Sequence, residues 1–245
     1  MKLLLSPAKK MRRDDDIAWS ELPIFLKDAE RILKALRALS AEERKKLWKC
    51  SDALAQENER SLSCMSLTGN PSAAVFSYVG LAYQYLSSES LSESELSWLQ
   101  DHLRILSGLY GVLRPMDGIV PYRLEMGAAL SVEGHRDLYS FWNHRIADQL
   151  AAENDTVVSL ASKEYEKAVL PYLEKEKVVQ IVFADRTDKG MVTKGTFAKM
   201  ARGLMTRWLA EKKAESTEEI KCFDLGYDYL PEQSDEHHLV FLKRR

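Results

Sequence analysis

The chain has 245 residues, 45% of them apolar and 29% charged, with a formal net charge of -2. That length and apolar fraction suffice for a sizeable core, and the near-neutral balance excludes the global basic field of a dedicated nucleic-acid binder, so any such contact needs a local basic patch. The three cysteines, Cys50, Cys64 and Cys222, form no Cys-x-x-Cys pair and have no histidine at metal-ligand spacing, which fits reduced thiols and no metal site.

The opening MKLLLSPAKK has too short an apolar run for a signal peptide, and no stretch approaches the roughly 20 apolar residues of a membrane span. A cytoplasmic protein without membrane contact is expected. Lys2 to Leu5 predicts a buried strand that delivers the loop Ser6-Pro7-Ala8-Lys9-Lys10 at its carboxyl end. There Ser6 offers a hydroxyl and Lys9 a cation to a phosphate or carboxylate, against the plainer reading of a solvated basic turn. From Pro23 to Leu39 apolar residues recur at helical spacing, and Ser40 with Glu43 forms a capping-box pattern for the next helix. A polar helix starts near Ser51; after the Gly69-Asn70-Pro71 turn, Ala73 to Tyr78 reads as a strand. Gly80 to Leu86 places Tyr83 near a turn or short helix, and Ser92 with Glu95 caps another helix.

The run His102 to Gly127, HLRILSGLYGVLRPMDGIVPYRLEMG, is the densest in glycine, proline, tyrosine and paired charge. Gly108, Gly111 and Gly118 permit close approaches or unusual backbone angles, and Pro115 and Pro121 fix local geometry, so this is no plain helix. Between them stand Arg104, Ser107, Tyr110, Arg114, Tyr122, Arg123 and Glu125, a set able to hold phosphate, sugar or a base edge. An extended Tyr122 to Met126 puts Arg123 and Glu125 on one face, as a functional pair or as a structural ion pair.

Beyond Gly134 an amphipathic helix is predicted from Leu138 to Ala151, with Trp142 in the core and Arg145 outward. Thr156 to Ala161 reads as a strand, with Ser162, Tyr165 and Lys167 opening a short helix at its end. Lys177 to Ala184 is a buried strand, followed by a turn over Asp185 to Gly190 and a hairpin partner over Met191 to Thr193. A helix from Gly195 to about Lys213 packs Phe197, Met200, Ala201, Leu204, Trp208 and Leu209 and presents Lys199, Arg202 and Thr206 on another face, two cations and a hydroxyl at one anion. His238 to Lys243 closes the sheet; His237 and His238, being adjacent, diverge and do not suit a metal. No linker is long enough to split the chain, so the elements predict a single mixed α/β (α+β) domain over residues 1–245, with a central mixed sheet surrounded by helices.

Several motifs resemble those of the YaaA family of bacterial peroxide-stress proteins: Ser6-Pro7-Ala8-Lys9, the run His102 to Gly127, Leu138-Tyr139 with Phe141-Trp142, Leu160-Ala161-Ser162 with Glu164-Tyr165 and Lys167, Ala201-Arg202-Gly203-Leu204-Met205 with Arg207, and Gly226-Tyr227. The resemblance implies an unusual fold with a positively lined cleft, a role in surviving hydrogen peroxide that is associated with less free intracellular iron, and binding to DNA; because the candidate contacts are chiefly Lys and Arg and no segment offers a base-reading helix, double-stranded DNA with little sequence preference is expected. It also implies a helix-hairpin-helix element, for which Leu106 to Gly111 is the candidate.

On this reading Lys9, Arg104, Arg114, Arg123, Lys199, Arg202 and Arg207 contact DNA phosphates, with Ser6, Ser107, Tyr110, Tyr122 and Ser162 beside them. A second reading is an enzyme acting on a nucleotide, nucleoside or damaged base, with Glu125 as general acid or base and the arginines orienting a phosphate. A third makes the central run a structural knot. No cofactor is implied. A cleft that gathers Ser6, Lys9, Arg123, Glu125, Ser162 and Arg202 would separate the first two readings from the third.

Overall fold

Strand β1 (Lys2–Leu5) has Leu3, Leu4 and Leu5 buried on both faces, which a strand sustains only inside a covered sheet. So it stands in the computed structural model, which describes every residue except Asp15, Lys189 and Arg245. The loop after β1 ends in a two-residue strand, β2 (Lys10–Met11). Helices α1 (Leu26–Ala38), α2 (Ala41–Trp48) and α3 (Asp52–Cys64) follow. The face of α1 carrying Ala29, Ile32, Leu33 and Leu36 is buried, as its spacing requires. At the start of α2 the Ser40 hydroxyl accepts from the Glu43 N–H while the Glu43 carboxylate accepts from the Ser40 N–H, so two otherwise orphaned donors are satisfied.

The expected strand over Ala73 to Tyr78 does not form. Two-residue strands β3 (Ser72–Ala73) and β4 (Tyr78–Val79) flank one helical turn, α4 (Ala74–Ser77). The Ala74 and Val75 N–H groups donate to the Asp117 and Pro115 carbonyls at 2.9 Å each, and the Ser77 hydroxyl donates to the Ala73 carbonyl at 2.9 Å. Those bonds replace a ladder and override the local β preference. Helix α5 (Leu81–Leu86) comes next, then α6 (Glu93–His102), which starts on the Ser92–Glu95 capping box.

The central run contributes β5 (Leu103–Ser107), β6 (Gly111–Leu113) and β7 (Gly118–Ile119). Leu106 to Gly111 is therefore a strand, a turn and the start of a strand, not a helix-hairpin-helix. Gly111 turns the chain at φ 71°, in the left-handed region, where a Cβ would also meet the Trp142 ring at 2.9 Å. The single helix expected over Leu138 to Ala151 is two, α7 (Leu138–Trp142) and α8 (Arg145–Ala151), broken where Asn143 takes φ 47°. Arg145, expected outward, instead lies over the Phe141 and Trp142 rings and pairs with Asp28 at 2.6 Å.

The remaining elements are β8 (Val157–Leu160), α9 (Lys163–Glu166), β9 (Val178–Thr187), β10 (Gly190–Val192), α10 (Gly195–Lys212), α11 (Thr217–Ile220), β11 (Tyr227–Tyr229) and β12 (His238–Lys243). Lys189, in the expected turn, lies outside the described residues. The main sheet is 8-stranded and runs β11-β12-β9-β8-β1-β5-β6, with β10 on β9. Strands β12, β9, β8, β1 and β5 are parallel and β11 and β6 are antiparallel edges, so the sheet is mixed and helices surround it. The final strand β12 lies one place in from the edge that β11 occupies.

Candidate functional site

Parallel pairing brings the carboxyl ends of β1 and β8 together, because Leu5 stands opposite Leu160. The chain leaves both strands at the same level, and Ser6 meets Ser162: the Ser162 N–H donates to the Ser6 hydroxyl oxygen at 2.8 Å, and the Ser6 hydroxyl donates to Ser162 Oγ at 3.3 Å. This edge of a parallel sheet is where α/β folds leave a crevice. Pairing of β2 with β4 folds the Ser6–Lys10 loop over it, and the Tyr83 hydroxyl donates to the Ser6 carbonyl at 3.0 Å.

A third wall comes from Tyr122 to Glu125. This segment belongs to no strand; it crosses the β5–β6 turn as a strap, and a Cβ on Gly108 would lie 2.8 Å from the Leu124 carbonyl oxygen. Trp48 holds the strap from the other side, donating its indole N–H to the Arg123 carbonyl at 2.8 Å. The fourth wall is α10, seated against α5 at Gly203, where a Cβ would lie 2.7 Å from the Ala82 carbonyl carbon and closer still to its oxygen.

Together these walls enclose a cavity of about 360 Å³. Ser6, Lys9, Tyr122, Arg123, Glu125, Ser162, Lys199 and Arg202, all singled out in the sequence, line it. Its charged lining is five cations (Lys9, Lys10, Arg123, Lys199, Arg202) against two carboxylates, Glu125 and Glu164. Glu125 Oε1 takes both Arg123 Nη2 at 2.8 Å and Lys9 Nζ at 3.0 Å, so Arg123 and Glu125 are neighbours as expected although no strand holds them. Arg123 Nη1 also donates to the Lys9 carbonyl at 3.4 Å, tying the strap to the Ser6–Lys10 loop. Glu164 accepts from the Gly127 N–H at 2.8 Å.

Phenols form the floor. The Tyr122 hydroxyl lies 2.7 Å from Ser107 Oγ and 2.9 Å from the Tyr78 hydroxyl. Burial pushes the Tyr122 phenol up to about 12, with the Ser107 and Tyr78 bonds opposing and the Glu125 charge adding to the rise. Tyr83 and Tyr165 are driven well above the ordinary phenol range, first by burial and then by neighbouring charge. These groups are neutral donors and acceptors at physiological pH.

Arg202 differs from Arg123 in having no carboxylate paired with it among the described residues. Burial pulls its pKa down, with the charge of Glu166 opposing, and its Nε is buried with no partner. Lys199, one turn earlier on α10, is exposed at the same cavity. Thr206, expected as the third member of that face, is buried and donates to the Arg202 carbonyl at 2.8 Å. Phe197, Met200 and Leu204 are only partly buried; Ala198, Gly203 and Met205 take the packed positions instead.

Five expected site residues lie elsewhere. Arg104 points to the amino-terminal end of the sheet, where Glu153 takes its Nη2 at 2.6 Å and its Nε at 2.9 Å. Arg114 pairs with Asp117 at 3.3 Å and with Glu21. Arg207 donates to the Ser87 carbonyl at 3.1 Å and the Ser90 hydroxyl at 2.7 Å, closing the end of α5, and pairs with Glu211 at 2.7 Å. Tyr110 is fully buried with its hydroxyl accepting from the Val120 N–H at 3.4 Å. Ser107 is buried too; it accepts from the Tyr110 N–H at 2.9 Å and reaches the cavity only through Tyr122. In each case a carboxylate or backbone group inside the protein already satisfies the side chain.

Lys10, Tyr83, Glu164 and Tyr165 also line the cavity and were not singled out as site residues. Lys10, Glu164 and Tyr165 lie within three residues of Lys9 or Ser162, and that adjacency is the signal that could have found them; Tyr83 has no such neighbour in sequence and is brought in by the packing of α5. A second cavity, of about 540 Å³ with mainly apolar walls from α1 and α3, adjoins the other side of the strap and shares Lys9, Lys10, Tyr122, Arg123 and Leu124. Among the described residues no group of three His, Cys, Asp or Glu side chains is placed to hold a metal ion, and no helix is long and apolar enough to cross a membrane.

The family described as peroxide stress protein YaaA matches residues 1–233. The chain is 44% identical to a UPF0246 protein of Pediococcus pentosaceus, over 99% of this chain and 98% of that one. It is 41% identical to a UPF0246 protein of Agathobacter rectalis, over 100% and 99%, and 42% identical to one of Limosilactobacillus reuteri, over 98% of each. With the match spanning nearly the whole chain, the protein belongs to the peroxide stress protein YaaA family.

Proposed function

We propose that this peroxide-stress protein acts by holding a phosphate-bearing nucleotide unit, free or presented by DNA, in the cleft that Ser6, Lys9, Arg123, Glu125, Ser162 and Arg202 line. One observation carries the reading: five cations face two carboxylates in a cavity of about 360 Å³, inside a protein of net charge -2. Local positive charge of this kind is the electrostatic footprint of a phosphate ligand. The volume is that of a small-ligand site, roughly 300–1,000 Å³, and suits one nucleotide rather than the width of a duplex. Double-stranded DNA would meet the rim through its backbone, with little sequence preference, and offer a single nucleotide to the cleft. Reduced free iron would be an indirect consequence of that binding.

A second reading, Glu125 as a general acid or base on the bound nucleotide, is favoured by one feature. The nearest cation contacts both fall on Oε1, and Oε2 accepts no hydrogen bond among the described residues. The binding reading is tested by measuring affinity for unrelated duplexes and for a mononucleotide across a salt series. Affinity should fall steeply with salt, differ little between sequences, and the mononucleotide should compete with the duplex. A flat salt response or strict sequence preference would count against it.

A further inference from the structure

We infer that the anion-binding subsite of this cleft is centred on Arg202 and takes a terminal phosphomonoester, while the Arg123–Glu125 wall faces the uncharged part of the ligand. The inference rests on the cleft being the ligand site and assigns the ligand's direction within it. Among the described residues only two buried side-chain nitrogen or oxygen atoms lack a hydrogen-bond partner, Arg123 Nε and Arg202 Nε, and both residues line this cavity. Their circumstances differ. Arg123 has Glu125 at 2.8 Å and the Lys9 carbonyl at 3.4 Å, and Lys9 shares the same carboxylate at 3.0 Å, so each cation on that wall already has an internal ion-pair partner.

Arg202 has no ion pair among the described residues. Glu166, the carboxylate whose charge reaches it, is itself held by the Ser159 hydroxyl at 2.7 Å. Its Nε is buried without a hydrogen-bond partner, and a polar group buried unpaired costs stability unless a ligand supplies the missing partner. Lys199 adds an exposed ammonium one helical turn away on the same wall. Ser162 Oγ accepts from Ser6, which leaves its own proton free to donate. Two cations with no carboxylate ion-paired to them among the described residues, and a hydroxyl donor, match a phosphomonoester, which carries roughly −1.5 to −2 charge at pH 7, better than a singly charged phosphodiester.

The test is calorimetric titration of the full chain with inorganic phosphate, a nucleoside 5′-monophosphate, the parent nucleoside, and a short duplex with or without terminal phosphates. Wild type, Arg202→Gln, Arg123→Gln and Lys199→Gln are compared, and the thermal unfolding midpoint of each is measured on a separate sample. The monophosphate should bind at least about tenfold more tightly than the nucleoside, and Arg202→Gln should lose at least about tenfold, the scale of a charge-assisted hydrogen bond. Arg123→Gln should lose less and Lys199→Gln a few-fold, while the unfolding midpoint of Arg202→Gln should equal or exceed that of wild type because an unpaired buried charge has gone. Preference for the phosphorylated duplex end would identify nucleic-acid termini as the source, and preference for the monophosphate a free nucleotide; both support the subsite. Full binding by Arg202→Gln with loss in Arg123→Gln would overturn it and leave the cleft standing. A midpoint far below wild type would make Arg202 structural and overturn it too. No binding of any phosphate-bearing probe would overturn the cleft reading itself.

Discussion

Glu125 touches two cations through one oxygen at the lip of the cleft, in a pair that is half-buried on one side and exposed on the other through Lys9. Pairs of this kind contribute on the order of 1 kcal/mol, too little to make Glu125 indispensable for folding. Glu125→Gln is therefore expected to remain folded by circular dichroism and yet to fail to restore peroxide resistance in cells lacking the native protein. Lys46→Gln, exposed on α2 away from both cavities, should restore it. Full rescue by folded Glu125→Gln would remove the acid-base role and leave binding by the cations.

Tyr122 supports a different expectation. Its phenol, pushed up to about 12, keeps its proton in the folded state while the unfolded chain gives it up near the ordinary value of 10. The protein is thus at full stability with respect to this group below about pH 10 and loses stability as pH rises from there toward 12. Urea unfolding followed from about pH 8 to about pH 11 should show that alkaline loss, and Tyr122→Phe should make it shallower. Equal slopes for the two proteins would contradict the assignment.

Two glycines decide how the walls of the cleft meet at the level of elements. Gly203 lets α10 lie against the Ala82 backbone of α5, and Gly108 lets the Tyr122–Glu125 strap cross the β5–β6 turn. Gly203→Ala must push α10, with Lys199 and Arg202, away from α5; a loss of roughly 1–3 kcal/mol is expected from overpacking, together with weaker phosphate binding. Gly108→Ala should shift Arg123 and Glu125 in the same way, read as lost complementation with the fold retained. Elements with local causes were legible in the sequence. The capping boxes at Ser40 and Ser92, the helical face of α1, the strands β1, β8 and β9 and the long helix α10 all follow from residues within a few positions of one another. Elements with distant causes were not. The helical turn at Ala74 depends on carbonyls of Asp117 and Pro115, and the break at Asn143 on a left-handed residue that periodicity does not register.

On the scale of the whole molecule, the sequence showed which loops leave the strands but not which of their cations remain unpaired. Ser6, Lys9, Ser162 and Arg202 follow or face the carboxyl ends of parallel strands and reach one cavity. Arg104, Arg114 and Arg207 use the same side chain for internal ion pairs, because Glu153, Glu21 with Asp117, and Glu211 lie beside them in the fold and only one of those carboxylates is a helical neighbour in sequence at i, i+4. Net charge was equally uninformative, since five cations gather at one crevice of a nearly neutral protein.

Where a nucleotide binds is the most direct test of the cleft. A crystal structure of the protein soaked with a nucleoside 5′-monophosphate should place the phosphate within hydrogen-bond distance of Arg202 Nε, inside the cavity between α10 and the Ser6–Lys10 loop, with Glu125 facing the remainder of the ligand. A nucleotide bound only outside that cavity, with Arg202 still lacking a partner, would contradict it.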